Sequence, residues 1–527
     1  MDIFIALALF KKEYEVCMQI RLKISQLLEQ VKEFTQAGDF QGLLKVANTL
    51  LAKDPYNGEY LLYKLQALDG LGKVTADIKF LHHYANMRST DITAFLLLYK
   101  AYMARDSIAD AIISLVFALS IDPQDEECQS LLASLLAGVD PKYKTVKFNI
   151  LTTNRVGHLA SDIEPWARSR QDINDDCLYL FIADGRKSAN DSLFTLLRNY
   201  AHVIESNLWF NFYLSRPLLL DDNHYVALPY DLNGSLRGKS NISINKEGSK
   251  RLIDIYNNFS AFMKIPNDDI ADGWKMLEKY NLRPSDRIVC LHVRDSYYLE
   301  KHLPGNNYSH HDYRDADIST YKPSVLKLID EGYKVVRIGA DTNQYLDLDS
   351  TSYIDLCRNV GEQHSDFIEL LLISACDFFI ATTSGPMSTA AIFDTPTLVV
   401  NAAPIHPPYF RNARFIPKRI FQNDIEVSLM DICRGKPLSE DNVKPILLCL
   451  AQKELVASGY EYLDNDEQDI LLAVTEFSNQ VNNRVFIGNT TPAQKAYHEK
   501  LPDSFAFKDS RTLICDSFLT KYPEIFK

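Results

Sequence analysis

The chain has 527 residues, 46% of them apolar and 24% charged, and a net charge of −13 at pH 7. That length exceeds what one hydrophobic core supports, so several domains are expected; the acidic balance excludes a nonspecific nucleic-acid binder, which needs a basic face. Nine cysteines with no CxxC pair read as reduced intracellular thiols rather than a disulfide framework.

Residues 1–10 are apolar, but an acidic residue stands where a signal peptide is positively charged, and the stretch is too short to span a bilayer. It reads as a helix packed on the next segment, and the protein is expected in the cytoplasm, with at most peripheral contact at the inner face of a membrane. A period then appears. Gly38, Gly72 and Asp106 are spaced by 34, and so are Pro55, Ser89 and Pro123, the period of tetratricopeptide (TPR) helix pairs. Gly38 and Gly72 fall where the turn between paired helices belongs. Tyr102, Ala111, Ala118 and Pro123 match the aromatic and small-residue positions of the third unit, while Ser89 replaces the proline of the middle one. Residues 1–140 are therefore read as three degenerate TPR-like repeats. Such stacks share a core and expose a concave face, so the array either docks a protein partner or serves as plain structure. No residue in it reads as catalytic.

From 141 to 280, strand and helix alternate, which marks a βαβ layer. Residues 146–151 read as a strand, followed by a turn over 152–160 and a helix holding Asp162 and Glu164 in its first turns. A helix start there favours an anion or a carboxylate. A second strand over 177–183 ends at Asp184 and precedes a helix near 193–201. His158, Asp162, Glu164 and Asp184 are the candidate general bases by position. The plainer readings are that His158 caps or packs and that the two carboxylates complement the helix dipole.

Residues 281–425 carry a second α/β domain. The apolar run from 287 ends in His292, Arg294 and Asp295; another from 377 ends in Thr383-Ser384-Gly385-Pro386. Consecutive apolar residues with a polar stop read as buried parallel strands, and open parallel sheets bind ligands beyond their carboxyl ends. Gly385 removes a β-carbon where a phosphate would approach, Pro386 suits a first helical turn, and the helix N–H groups form an anion site. Arg294 adds a bidentate clamp. Between the runs, residues 296–320 read as a lid holding Tyr298, His302, His310, His311, Tyr313, Arg314, Asp315 and Asp317. A strand over 333–339 brings Arg337 and Gly339. Plainer readings make Ser384-Gly385-Pro386 only a helix start and Arg294–Asp295 an internal ion pair. Residues 459–466 read as a strand and turn before a helix over 467–481, and 426–527 as C-terminal helices packing back on the core.

Together these motifs resemble a family of bacterial glycosyltransferases linked to surface-polysaccharide synthesis: His-Val-Arg-Asp-Ser-x-Tyr at 292–298, Tyr-Arg-Asp-Ala-Asp-Ile at 313–318, Gly-Tyr-Lys-Val-Val-Arg-Ile-Gly at 332–339, Asn-Arg-Val-Gly-His-Leu-Ala at 154–160 and the Ser-Gly-Pro segment. More distantly, the His-x-Arg strand and Ser-Gly helix are similar to transferases of the two-Rossmann (GT-B) fold. The resemblance covers roughly 145–480 and implies two Rossmann-like doubly wound domains after the all-α repeat, with transfer that needs no metal and no cofactor beyond a nucleotide-sugar substrate. It implies that donor contacts come from His292, Arg294, Asp295, Tyr298, Arg314, Asp317, Arg337, Gly339, Thr383, Ser384, Gly385 and Pro386. Arg155, Gly157 and Asp184 would lie on the acceptor side, with His158, Glu164 and Arg294 catalytic. Asp315 departs from the Asn of the family pattern.

Three functions stay open at this stage. One is transfer of a sugar to a saccharide or lipid-linked saccharide. Another is transfer to a protein docked on the TPR-like domain. The third is a non-catalytic scaffold with an inert transferase domain.

Overall fold

The computed structural model describes residues 2–171, 176–185, 188–215, 246–302, 309–339, 341–359, 366–403, 410–433, 459–484, 490–503, 505 and 508–526. The chain forms two compact units, one running through Met1–Lys147 and the other holding most of the chain from Phe148 onward.

The first unit is helical: α1 (Asp2–Ala37), α2 (Phe40–Leu51), α3 (Gly58–Gly70), α4 (Ile78–Met87), α5 (Ile92–Met103), α6 (Ile108–Ile121) and α7 (Glu126–Val139). Asp39, Asn57, Asp77, Asp91 and Asp125 each precede a helix and accept a backbone N–H of its first turn, satisfying donors that a helix start leaves open. Gly38, Gly72 and Asp106 all take left-handed backbone, with φ of 67°, 66° and 56°. Glycine does so without steric cost, and aspartate is among the few other residues that tolerate it. The 34-residue spacing is thus the recurrence of one turn geometry, and the helical repeat is present. Tyr102, Ala111 and Ala118 are buried in it.

The α/β part begins with β1 (Thr145–Leu151), α8 (Val156–Arg168), β2 (Cys177–Ala183), α9 (Asp191–Arg198), β3 (His202–Glu205) and α10 (Asn207–Ser215). It continues through α11 (Lys246–Asn258), α12 (Asn267–Leu277), β4 (Ile288–His292), α13 (Tyr297–His302), α14 (Lys322–Asp330), β5 (Lys334–Arg337), β6 (Tyr353–Asp355), α15 (Asp366–Ala375), β7 (Phe378–Ala381), α16 (Gly385–Ile392), β8 (Thr397–Ala402) and β9 (Ala413–Pro417). Last come β10 (Arg419–Gln422), β11 (Ile425–Glu426), α17 (Leu429–Cys433), β12 (Tyr460–Leu463), α18 (Glu467–Asn482), α19 (Pro492–Lys500), β13 (Leu513–Ile514) and α20 (Asp516–Lys521).

Three strands pair in the order β1-β2-β3, and β10 joins β11 and β12 in a small antiparallel ribbon. The main sheet has seven strands in the order β13-β9-β8-β7-β4-β5-β6, every pair parallel. Counted from β4, the six strands β6 to β9 run 3-2-1-4-5-6, the Rossmann order. Along β4, Val289 and Leu291 enter one hydrophobic cluster while Ile288 and Cys290 enter another. A strand alternates its side chains between faces, so burial on both gives a continuous apolar run. The second cluster also takes in Leu151, Leu159, Phe181 and Leu193, so both α/β halves share one core.

Two expectations are revised. Helix α8 starts at Val156, so Glu164 belongs to its third turn and not to the N-terminal dipole. The expected lid is folded where described, into α13 and the 3-10 turns Ser309–Arg314 and Ile318–Tyr321. Helix α18 packs on α14 and β8 and enters the core through Ile470, Ala473, Val474 and Phe477. The side chains of Asp162, His302, His310 and His311 lie outside the described residues.

Candidate functional site

The strand order reverses between β4 and β7. From β4 the chain proceeds to β5 and β6 on one side, then returns to β7 on the other. Crossovers that leave in opposite directions open a crevice beyond the carboxyl ends of such a strand pair, where α/β proteins bind ligands. The two polar clusters singled out in the sequence end these two strands. His292 stands in register with Ala381. Thr382 ties the ends together: its N–H donates to His292 O at 3.2 Å, and its Oγ1 accepts from Arg294 N–H at 3.0 Å. Ser384 Oγ lies 3.1 Å from both His292 Nδ1 and Thr382 O. A carbonyl only accepts, so when the Ser384 hydroxyl donates to Thr382 O, His292 Nδ1 must be the donor to Ser384.

Helices α8 and α16 run side by side in the same direction. At their starts, a β-carbon on Gly157 would stand 3.2 Å from Gly385 Cα, and one on Gly385 would stand 3.0 Å from Gly157 N. At their ends, Arg168 donates to Ala391 O at 2.6 Å. Neither N-cap residue, Arg155 or Ser384, supplies a side-chain bond to the first turn. Two helix N-termini, each carrying about half a positive charge, therefore lie together without capping carboxylates. That arrangement favours an anion.

The surrounding charges reinforce it. Arg294 is ion-paired with Asp315; burial and then the neighbouring Arg314 lower its pKa to about 10, which leaves it cationic. Lys418 donates to Asp315 O at 2.6 Å and pairs with Asp464 at 2.6 Å. His158 lies in the first turn of α8, where burial, Arg155 and Arg314 push its pKa down to about 4. Burial, Arg337 and Arg294 push His292 down to about 3. Both rings are neutral near pH 7, and each is held so by burial together with positive neighbours.

Arg155, Gly157, His158, His292, Arg294, Arg314, Ser384 and Gly385 thus come together at the switch point, and Pro386 takes an early position of α16. Thr383 is turned to the next strand, its Oγ1 accepting Ala403 N–H at 3.2 Å. The other expected residues are held by partners of their own, and of these Arg337 and Gly339 border His292. Glu164 is buried, accepting from Arg168 Nε at 2.5 Å and from Tyr256 Oη at 2.6 Å. Burial raises its pKa and Arg168 opposes the rise; with a donor on each oxygen the pair is charged, and Glu164 faces no acceptor. Asp184 accepts from Thr153 Oγ1 at 2.9 Å, joining the β1–α8 turn to the end of β2. Asp295 accepts from Tyr297 N–H and Asn343 N–H, both at 3.2 Å, and orders its own loop. Arg294 is ion-paired with Asp315, and Asp295 acts on it electrostatically as well. Arg337 is fully buried, donating to Gln344 O at 2.6 Å and Thr342 Oγ1 at 3.2 Å. Gly339 backs the His292 ring. Asp317 caps the turn Ile318–Tyr321 through Ser319 N–H at 2.8 Å. Burial and then Asp366 and Glu369 raise Tyr298, so its charged neighbours are acidic.

Sequence reasoning missed Thr382, Lys418 and Arg168. Only Arg168 left a legible signal, its spacing of four residues from Glu164 along one helix. Among the described residues no group of three or more His, Cys, Asp or Glu is placed to hold a metal ion, and no helix is long and apolar enough to cross a membrane.

No protein-family model and no curated protein matches the chain. Solved structures similar to it include the glycosyl transferase family 9 protein from Veillonella parvula DSM 2008, at 10% identity over 64% of this chain and 98% of that one, with a TM-score of 0.38. A point mutant of Thermobaculum terrenum O-GlcNAc transferase is similar at 12% identity over 95% and 97%, TM-score 0.25. The MamA protein is similar at 20% identity over 23% of this chain, TM-score 0.21, and the match spans 65% of MamA. Likeness at these identities and scores carries no inference about activity.

Proposed function

We propose that the α/β unit is a glycosyltransferase that holds a nucleotide-sugar by its diphosphate at the switch point. The observation that carries this reading is the meeting of two helix N-termini, without side-chain caps, beside Arg294 and Arg314 at the reversal of a Rossmann sheet. In the reaction the bond from the anomeric carbon to the diphosphate oxygen breaks, and the electron pair leaves with the diphosphate. The acceptor hydroxyl oxygen bonds to that carbon and gives its proton to neutral His158. Helix N–H groups and the two guanidinium groups meet the charge that develops on the leaving oxygen, stabilisation that is strongest in a site fixed beforehand. The sequence motifs support a saccharide or lipid-linked saccharide acceptor. The helical repeat supports a protein acceptor as the second reading.

The test is a thermal-shift series with GDP, UDP, CMP and dTDP on the wild type and on Arg294→Ala. A nucleotide that binds only the native state at a hundred times its Kd stabilises by about 2.7 kcal/mol. One nucleotide is expected to shift the wild type and not the variant. No shift with any of the four would overturn the reading.

A further inference from the structure

We infer that Arg168 is a positioning residue for the anion site, although it lies roughly 16 Å along α8 from Gly157 (11 residues at about 1.5 Å each). The inference rests on the diphosphate reading above. Its starting point is a physical difficulty: two parallel helices in contact align their dipoles, which repel at both ends. At the N-terminal ends an anionic ligand would relieve that repulsion. At the C-terminal ends the protein supplies its own ion.

The Arg168 side chain is fully buried and makes four hydrogen bonds. Nη2 donates to Ala391 O at 2.6 Å in the last turn of α16, and Nη1 donates to Phe259 O at 3.1 Å. Nη1 also donates to Asp394 Oδ1 at 2.8 Å, and Nε to Glu164 Oε1 at 2.5 Å. The guanidinium lies 4.7 Å from the centre of the Tyr256 ring, whose hydroxyl donates to the other oxygen of Glu164. The second oxygen of Asp394 accepts Ala261 N–H at 2.7 Å. Burial works against charge on Arg168, but Glu164, Tyr256 and Asp394 raise its pKa above the ordinary arginine value.

One cation thus gathers the ends of both helices and the chain after α11. A guanidinium is a rigid planar fork, so these bonds set the rotation and the axial offset of α8 against α16. At the N-terminal ends Gly157 and Gly385 meet backbone to backbone with Val156 Cβ close by, a contact that sets the spacing of the helices. The node at the far end adds directed bonds that fix their rotation and axial offset. Its loss lets α8 slide on α16, and the two first turns no longer address one diphosphate.

The experiment compares wild type, Arg168→Lys, Arg168→Met and the double variant Arg168→Met/Glu164→Leu. The double variant removes Arg168 together with its buried partner Glu164, which spares the fold a lone fully buried charge, while Asp394, partly exposed, keeps the Ala261 N–H. Two measurements are made on each: affinity for the nucleoside diphosphate that the wild type binds, against the matching nucleoside, and amide hydrogen exchange over 155–160 and 384–388 without ligand. The folded variants are expected to lose roughly tenfold or more in diphosphate affinity, as losing both helix dipoles implies, with nucleoside affinity retained. They should exchange faster in both segments. Lysine is a point charge without the fork, so Arg168→Lys should not rescue. Unchanged exchange in the folded double variant, or an equal loss for nucleoside and diphosphate, would overturn the inference. If the wild type binds no diphosphate, the functional reading fails while the exchange comparison still decides whether Arg168 aligns the helices.

Discussion

Replacing Gly385 by alanine tests the helix pair and the ligand reading in one variant. The added β-carbon would stand 3.0 Å from Gly157 N and 3.3 Å from Val156 Cβ. The nearer atom is backbone, so no rotamer change relieves the contact, and α16 must move from α8 by a few tenths of an ångström. Overpacking of this kind costs about 1–3 kcal/mol, measurable as a lower denaturant midpoint at unchanged slope. The displaced first turn should also weaken diphosphate binding by about 1–2 kcal/mol, roughly 5- to 30-fold in Kd, measured by calorimetry. Gly157→Ala places its own β-carbon 3.2 Å from Gly385 Cα, so the two substitutions compete for one gap. The double variant should be worse than the sum of the singles by more than about 0.5 kcal/mol. A Gly385→Ala protein with wild-type stability and wild-type diphosphate affinity would refute the reasoning. Lost stability with intact affinity would keep the packing and remove the anion from this place.

Arg294→Lys keeps a charge but not the bidentate fork, so diphosphate affinity should fall by about tenfold or more while nucleoside affinity stays; equal affinities would place Arg294 off the phosphate. His158→Asn should lower kcat by about 10²–10⁴ and leave donor affinity nearly intact. Because Arg155 and Arg314 help burial depress His158 to about 4, a bound diphosphate should raise that pKa, so binding takes up protons and tightens as the pH falls toward the bound-state value. Calorimetry in two buffers checks this, and no proton uptake would argue against His158 beside the anion. In the helical unit, burial holds His82 near pKa 4, below the unfolded value of about 6.5. Falling pH therefore charges the unfolded state first, so stability is full above about pH 6.5. It should be lower by about 2 kcal/mol at pH 5 and by about 3 kcal/mol below pH 4. Denaturant melts of the wild type and His82→Gln check it, and an equal pH dependence would reject the assignment.

The main sheet was legible because β4, β7 and β8 are buried on both faces and their apolar runs are continuous. The places where those runs stop, at His292 and at Thr382–Ser384, lie at the ends of adjacent strands. Gly38 and Gly72 were legible because one turn needs left-handed backbone. The start of α8 was misplaced because its N-cap is Arg155, which carries none of the Ser, Thr, Asp or Asn signal that announces a helix. Glu164 was consequently read as a dipole partner. The Arg168 node was hidden for another reason: its partners Ala391 and Asp394 lie 223 and 226 residues away, and no local pattern encodes such a pairing. The approach of Gly157 to Gly385 is of the same kind. A strand as short as β13 has no period to detect.

That last strand has a consequence for biosynthesis. β13 covers the outer edge of β9, with Leu513 beside Arg414 and Ile514 beside Phe415, so the covering residues come about 100 positions after the covered ones. At typical translation rates of about 5–20 residues per second, the nascent sheet presents an uncovered apolar edge for roughly 5–20 s. Free strand edges recruit other chains. Chaperone occupancy on ribosomes translating this interval should peak after residue 417 and fall once residue 514 has cleared the exit tunnel.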